Sequence, residues 1–247
     1  MISLSNLTKT YSRGSAPAVD QLELFVNDGE IFGFIGPNGA GKSTTIKMIA
    51  GIIPADAGSI ILNGEDMVRD PVEAKKLIGY VPDTPDLYER LSGLEYLTFL
   101  ADVYGVPGEQ REKRILKYGE MFEMTGALKD PIKSYSHGMR QKIVVMGALV
   151  HDPRIWILDE PMVGLDPRAA HLLKEEMKNH CAKGNTVFFS THVLEVAEKL
   201  CHRIGIIHKG RLVATGTVEE LRNKAKGDGS LESIFLSITE GSREGEV

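Results

Sequence analysis

Leu22, Leu24 and Val26 alternate with polar residues, the two-residue period of a strand with one buried face. The run Glu30-Ile31-Phe32-Gly33-Phe34-Ile35 behind them is almost wholly apolar and predicts a central strand. Gly36-Pro37-Asn38-Gly39-Ala40-Gly41 then breaks the pattern, and Ile46, Ile49 and Ala50 recur at helical spacing, so the order is strand, glycine-rich loop, helix. Ile60-Ile61-Leu62 before Asn63-Gly64 reads as a short strand ending in a turn, Val72 to Leu77 as a helix, and Ile78 to Val81 as a strand. From Pro82 to about Val150 helical periodicity takes over, in 91–104, 109–125 and 136–150, separated by Pro, Gly and Ser breaks. This predicts a helical lobe inserted in an α/β core. Strands at 155–158, 186–190 and 204–207 then alternate with helices at 167–182 and 193–200, which implies a mainly parallel sheet covered on both faces. Residues 223–230, rich in Lys, Gly and Asp, read as a linker into a short helix at 231–238, and the tail past Thr239 reads as disordered.

Composition narrows the function classes. The 247 residues carry 29 basic and 34 acidic side chains, a formal charge of −5. A sequence-independent nucleic-acid binder needs a clustered basic surface, so no nucleic-acid partner is expected. The longest apolar stretches, such as Ile143 to Val150, fall far short of the roughly 20 residues that cross a bilayer. Met1 to Asn6 has no basic start or apolar block of a secretory signal, and a cytoplasmic location is expected. Cys181 and Cys201 are too few for a disulfide framework and are expected as free, buried thiols.

Gly36-x-x-x-x-Gly41-Lys42-Ser43 fits the phosphate-binding P-loop pattern. Glycines let consecutive main-chain N–H groups turn inward around an anion, and the helix that follows offers its positive end to the same charge. Lys42 supplies a mobile cation for β and γ phosphates, and the Ser43 hydroxyl can ligate Mg²⁺. A glycine-rich turn can also bind nothing, but this one sits where the mechanism needs it, between strand and helix. The strand Ile155-Trp156-Ile157-Leu158 feeds Asp159 and Glu160, which suit a Mg²⁺ ligand acting through water and a base that polarises an attacking water. Alone, such a pair would read as a solvated turn or a helix cap.

Taken together, the motifs resemble the nucleotide-binding subunit of an ATP-binding-cassette (ABC) transporter, over about Ile2 to Ile238. They run in the family's order: Tyr11; the P-loop Gly36, Pro37, Asn38, Gly39, Ala40, Gly41, Lys42, Ser43 and Thr44; a signature at Tyr135-Ser136-His137-Gly138-Met139-Arg140-Gln141; Asp159-Glu160; Gly164-Leu165-Asp166; and Ser190-Thr191-His192. The resemblance implies a P-loop NTPase core with a mainly parallel sheet, an antiparallel β subdomain and an inserted helical subdomain at about 83–150. It places an ATPase domain in 1–222 and a linker, short helix and tail in 223–247. It further implies a homodimer or heterodimer that sandwiches two ATP molecules with Mg²⁺. Ser136 and Gly138 of one subunit would cap the γ-phosphate held by the other's P-loop. His192 would hold the geometry around Glu160, Asp166 would communicate between the two sites, and Tyr11 would stack on adenine. The partner would be a separate transmembrane permease docked near 83–97, with the ATPase peripheral on the cytoplasmic face of the membrane.

Three departures from the family pattern stand out. Asp83 occupies the position of the usual Gln that senses Mg²⁺ and the attacking water; a carboxylate can still ligate either, with a shorter reach and a charge. Tyr135 and Met139 replace Leu and Gln in the signature. His137 replaces its first Gly, where a side chain either faces solvent, the reading adopted, or adds a phosphate contact. The Tyr-Ser-x-Gly-Met form and the end Ser230 to Leu236 resemble the branch serving ABC-2-type exporters. The other readings weighed are a soluble ABC-type regulator of a ribosome- or DNA-associated process, which usually carries two cassettes or long coiled coils, and a metabolic P-loop kinase, which leaves the signature and His192 unexplained. The His180-Cys181 and Cys201-His202 pairs suggest zinc only weakly, since helical neighbours point about 100° apart.

Overall fold

A computed structural model describes residues 1–12, 14–224 and 231–241 of the chain. Two sheets organise it. In the first, β1 (Ile2–Lys9), β2 (Val19–Val26), β4 (Ala57–Leu62) and β5 (Glu65–Asp66) pair antiparallel in the order β2-β1-β4-β5. Ile2, Leu4, Leu22, Leu24, Val26, Ile60 and Leu62 all point into one apolar cluster, as the alternation in β2 requires.

The second sheet combines β3 (Ile31–Ile35), β6 (Ile78–Val81), β7 (Ile155–Leu158), β8 (Thr186–Thr191), β9 (Arg203–His208) and β10 (Arg211–Gly216) in the order β10-β9-β3-β8-β7-β6. All neighbours in it run parallel except β10, which turns back antiparallel beside β9. Strands β3, β7 and β8 are buried at every position, which accounts for the apolar runs of β3 and β7 and for Val187, Phe188 and Phe189 at the centre of β8. The helices α1 (Lys42–Ile49), α2 (Pro71–Lys76), α6 (Pro167–Ala182) and α7 (Leu194–Leu200) complete the α/β part. The crossover between the parallel neighbours β6 and β7 is unusually long. It holds α3 (Gly93–Val103), α4 (Gly108–Met121) and α5 (His137–Leu149), packed on a cluster that includes Leu97, Ile115, Phe122, Ile143 and Met146.

The helix expected to run to Thr125 ends at Met121 instead. Glu123 turns left-handed (φ 57°), Met124 N–H donates to the Gly119 carbonyl at 2.8 Å, and Glu123 N–H to that of Glu120 at 3.2 Å. This is a Schellman ending, sealed by Met124, which is buried. A 3₁₀ turn, Thr125–Ala127, follows. At the other end, Asn223 and Lys224, expected to begin a linker, belong to the helix α8 (Val218–Lys224). The helix α9 (Leu231–Gly241) runs past the expected Ile238 and seats Leu231 and Ile234 in a cluster with Ile35, Ala197, Ile204 and Leu221. The rest of the expected linker, 225–230, and the tail from 242 lie outside the described residues.

Candidate functional site

The strand order brings the carboxyl ends of β3, β8 and β7 side by side, and the predicted chemistry collects there. The loop Gly36 to Gly41 leaves β3 and enters α1. Gly41 has φ 110°, and a Cβ on it would stand 2.4 Å from the Ala18 carbonyl oxygen, so only glycine fits. Lys42 folds back under the loop, its Nζ donating to the carbonyls of Gly36 (2.8 Å) and Pro37 (3.2 Å) and standing 3.9 Å from Glu160 Oε1. Burial pulls its pKa down, against the pull of Glu160 and Asp159.

Asp159 follows β7 and is fully buried. Its Oδ1 accepts a 2.6 Å hydrogen bond from Ser190 Oγ, which in turn accepts the Glu160 N–H at 3.0 Å. Its Oδ2 is buried with no partner among the described residues. Burial pushes the Asp159 carboxyl up, partly offset by the Ser190 and Ser43 hydroxyls. Glu160 adopts the left-handed region (φ 48°), an uncommon and costly conformation for a side chain with a Cβ, and one the surrounding contacts must enforce. Its Oε2 meets His192 Nδ1 at 2.9 Å, and the His192 side chain is 56% exposed.

A cleft of about 360 Å³ opens over this cluster, lined by Asn38, Gly39, Lys42, Ser43, Thr44, Asp83 and Glu160, among others. Asp83 reaches it from the turn after β6, where its Oδ1 accepts the Thr84 N–H at 2.8 Å. Tyr11 stands exposed at the mouth, its hydroxyl 3.2 Å from Thr44 Oγ1.

Ser136, Gly138 and Asp166 form a second group that lines no part of that cleft. Ser136 caps α5, its Oγ accepting the Met139 N–H at 3.3 Å. Asp166 caps α6 through Ala169 N–H (2.8 Å) and pairs with Lys142 at 3.0 Å. Its own pKa is lowered, first by the Ala169 N–H and then by Lys142. Tyr135, in place of the family's Leu, is buried and donates its hydroxyl to the Ala127 carbonyl at 2.7 Å.

Two residues received no role from the sequence. Ser190, named there only as the first residue of the Ser190-Thr191-His192 motif, is the hub that joins Asp159 to Glu160. Lys142, one turn into α5, ties that helix to Asp166. The weaker zinc idea finds no support: no cluster of three potential ligands occurs among the described residues, and His202 Nδ1 is occupied as acceptor of the Ile31 N–H at 2.9 Å. Cys181 is buried and Cys201 partly so; both are free, and burial pushes the Cys181 thiol up to about 12.

Comparison with known proteins agrees with this geometry. A family model described as ABC transporter matches residues 19–163. The chain is 38% identical over 240 residues to the ABC-type transporter ATP-binding protein EcsA of Bacillus subtilis (strain 168), spanning 97% of this chain and 96% of that protein. It is 35% identical over 221 residues to the Nod factor export ATP-binding protein I of Cupriavidus metallidurans, spanning 90% and 72%. Among solved structures, the dimeric post-hydrolysis state of the ATP-binding cassette MJ0796 bound to ADP and Pi matches with a TM-score of 0.79 at 28% identity, over 88% of this chain and 98% of that one.

Proposed function

The chain belongs to the ABC transporter family as an ATP-binding, ATP-hydrolysing subunit, and on that premise we propose that it drives a separate transmembrane permease, in the export direction, through ATP-dependent closure of a cassette dimer. The observation that carries this is the division of the site. The P-loop, Asp83 and Glu160 line one cleft, with His192 joined to it through Glu160, whereas Ser136 and Gly138 line no part of it and have no such link, so a γ-phosphate held in that cleft is capped by a second subunit. The dimeric ADP- and Pi-bound cassette MJ0796 supports dimerisation. Export is supported by relatives such as the Nod factor export protein and by the Tyr-Ser-x-Gly-Met signature.

In this reading ATP lies along the loop Gly36–Thr44, with Pro37, Asn38, Gly39 and Ala40 shaping the phosphate cradle and Tyr11 against the adenine. Lys42 releases the Gly36 and Pro37 carbonyls to meet the β and γ phosphates. Glu160 takes a proton from the attacking water, and His192, on its other oxygen, holds the carboxylate in line and contacts the γ-phosphate. The unpartnered, buried Oδ2 of Asp159 beside the Ser43 hydroxyl fits a divalent cation, which Ser43 and Asp159 would hold with Asp83 at its margin. When bound, Mg²⁺ neutralises charge on the β and γ phosphates. Closure follows from differential contact: only the closed dimer offers both a P-loop and a partner's helix N-terminus to one phosphate.

No helix among the described residues is long and apolar enough to cross a membrane. The proposed seat is the cytoplasmic face of the cell membrane, reached through the permease, and cargo is that partner's property. The soluble-regulator alternative is not favoured by the relatives. Affinity purification from mildly solubilised membranes is expected to retain a stoichiometric multi-spanning protein; ribosomal proteins or nucleic acid in its place would refute the transport reading. Glu160→Gln is expected to give an ATP-stabilised dimer with little turnover, seen by size-exclusion chromatography with the cognate second ATPase present if the pair is a heterodimer.

A further inference from the structure

His137 is exposed, yet its ring is not free. A Cβ on Gly164 would fall 2.4 Å from both Cδ2 and Nε2 of His137, so the imidazole fills the space that glycine leaves at position 164. Two further contacts join the same segments. A Cβ on Gly138 would come within 3.2 Å of the Gly164 carbonyl oxygen, and Lys142 pairs with Asp166 at 3.0 Å. The loop from Glu160 to Asp166 is itself tightly wound, with Val163 N–H on the Glu160 carbonyl (3.1 Å) and Leu165 N–H on that of Met162 (3.4 Å). One end of it is pinned by the Glu160 N–H on Ser190, and the other caps α6.

We propose that His137 is a positioning residue: seated on the bare face of Gly164, it locks the turn Ser136–Gly138 to the loop Glu160–Asp166 of the same subunit. This rests on the dimer reading above and extends it. The turn acts on the neighbouring subunit's nucleotide, whereas the loop begins at this subunit's own Glu160. Joined by His137, they move as one body, so capping at one site is mechanically tied to carboxylate placement at the other. The family's usual Gly at position 137 has no side chain to reach Gly164. The interaction is steric, and a flat ring of similar size serves in its place.

The test is a double-mutant cycle on the full chain: wild type, His137→Gly, Gly164→Ala and the pair, with His137→Phe as a fifth protein. Steady-state ATPase is measured across ATP concentration, with ATP binding by the monomer as a fold check. Displacement of catalytic groups by about 1 Å lowers turnover by up to about 100-fold, so Gly164→Ala, whose methyl meets the ring, is expected to lose about 10- to 100-fold in kcat. His137→Gly loses about tenfold in kcat with KM for ATP within about twofold, because the P-loop cleft is untouched and only transition-state alignment suffers. The pair recovers several-fold over Gly164→Ala alone; recovery is partial, since φ +80° at position 164 strains alanine in either background. His137→Phe keeps a flat ring, somewhat larger than imidazole, against Gly164 and stays within about threefold of wild type. Losses that simply multiply in the pair, a wild-type kcat in His137→Gly, or a His137→Phe as impaired as His137→Gly would each overturn the proposal. A wild type that neither hydrolyses ATP nor dimerises as Glu160→Gln refutes instead the function underneath. The pairing of positions 137 and 164 is then still read from the denaturant midpoints of the same four proteins, where additivity overturns it.

Discussion

Replacing Ser190 with alanine probes the centre of the candidate site without touching a group assigned to nucleotide. Ser190 is completely buried, donates to Asp159 Oδ1 at 2.6 Å and accepts the Glu160 N–H at 3.0 Å. Alanine removes a donor from a buried carboxylate and strands a main-chain N–H. A hydrogen bond to a charged group contributes about 1.5–3 kcal/mol, and an orphaned buried donor costs about 1–3 kcal/mol. Both losses pass through one hydroxyl whose own desolvation is relieved, so the expected destabilisation is about 2–4 kcal/mol, a large share of the roughly 5–15 kcal/mol of a whole domain. The pH dependence carries a sign. Burial raises the Asp159 pKa above its ordinary 3.8, so the folded chain holds that proton more tightly than the unfolded one. Asp159 therefore subtracts from stability at neutral pH, and the subtraction fades as pH falls through its folded pKa towards 3.8. Removing Ser190 takes away a group that lowers this pKa, so the deficit of Ser190→Ala is largest at neutral pH and shrinks on acidification. The assay is urea unfolding of nucleotide-free protein at several pH values between about 7.5 and 5, with m-values compared to confirm a common unfolding transition. A deficit below about 1 kcal/mol at neutral pH, or one that grows on acidification, refutes the argument.

Lys42→Met is expected to abolish ATP binding, at least about 100-fold by fluorescence titration, yet to leave nucleotide-free stability within about 1 kcal/mol, because a buried ammonium costs desolvation that a thioether does not. Glu176 in α6 is buried and accepts from Lys117 Nζ (2.9 Å) and Tyr118 Oη (3.3 Å) of α4, fastening the helical insertion to the core. Glu176→Ala also strands the buried Tyr118 hydroxyl and should cost about 2–4 kcal/mol in a denaturation series, whereas Lys117→Ala, whose side chain is 46% exposed so that water can take its place at the carboxylate, should cost under about 1 kcal/mol; equal costs would mean that the charge pair, rather than the Tyr118 hydroxyl's satisfaction, dominates.

What the sequence reveals depends on whether a feature is contiguous. The P-loop is legible because anion binding needs strand, glycines and helix N-terminus in direct succession, and Asp159-Glu160 because an apolar strand delivers them. Other features need the fold. The strands β1 and β10, and the helix α8, carry patterns too irregular or too polar to stand out, β1 because register shifts after Leu4 break its alternation, and they gain their identity from neighbours: β1 lies between β2 and β4, and β10 covers the edge of β9. The end of α4 misleads because Phe122 follows Tyr118 by four residues and Met124 follows Met121 by three, both helical spacings, while the left-handed Glu123 turns the chain and Met124 seals the reversal. Ser190 has an ordinary place at the end of a buried strand; only the pairing of β8 with β7 sets its hydroxyl between the Asp159 carboxylate and the Glu160 N–H. His137 shows the limit most plainly. From sequence its side chain has two destinations, solvent or phosphate, and the structure adds a third: it remains exposed, but rests on a glycine in a loop that is distant in sequence. A side chain that departs from its family's pattern thus finds its meaning in the space left by another residue, and chemistry that depends on such pairs is open to double-mutant cycles where single substitutions would show only a loss.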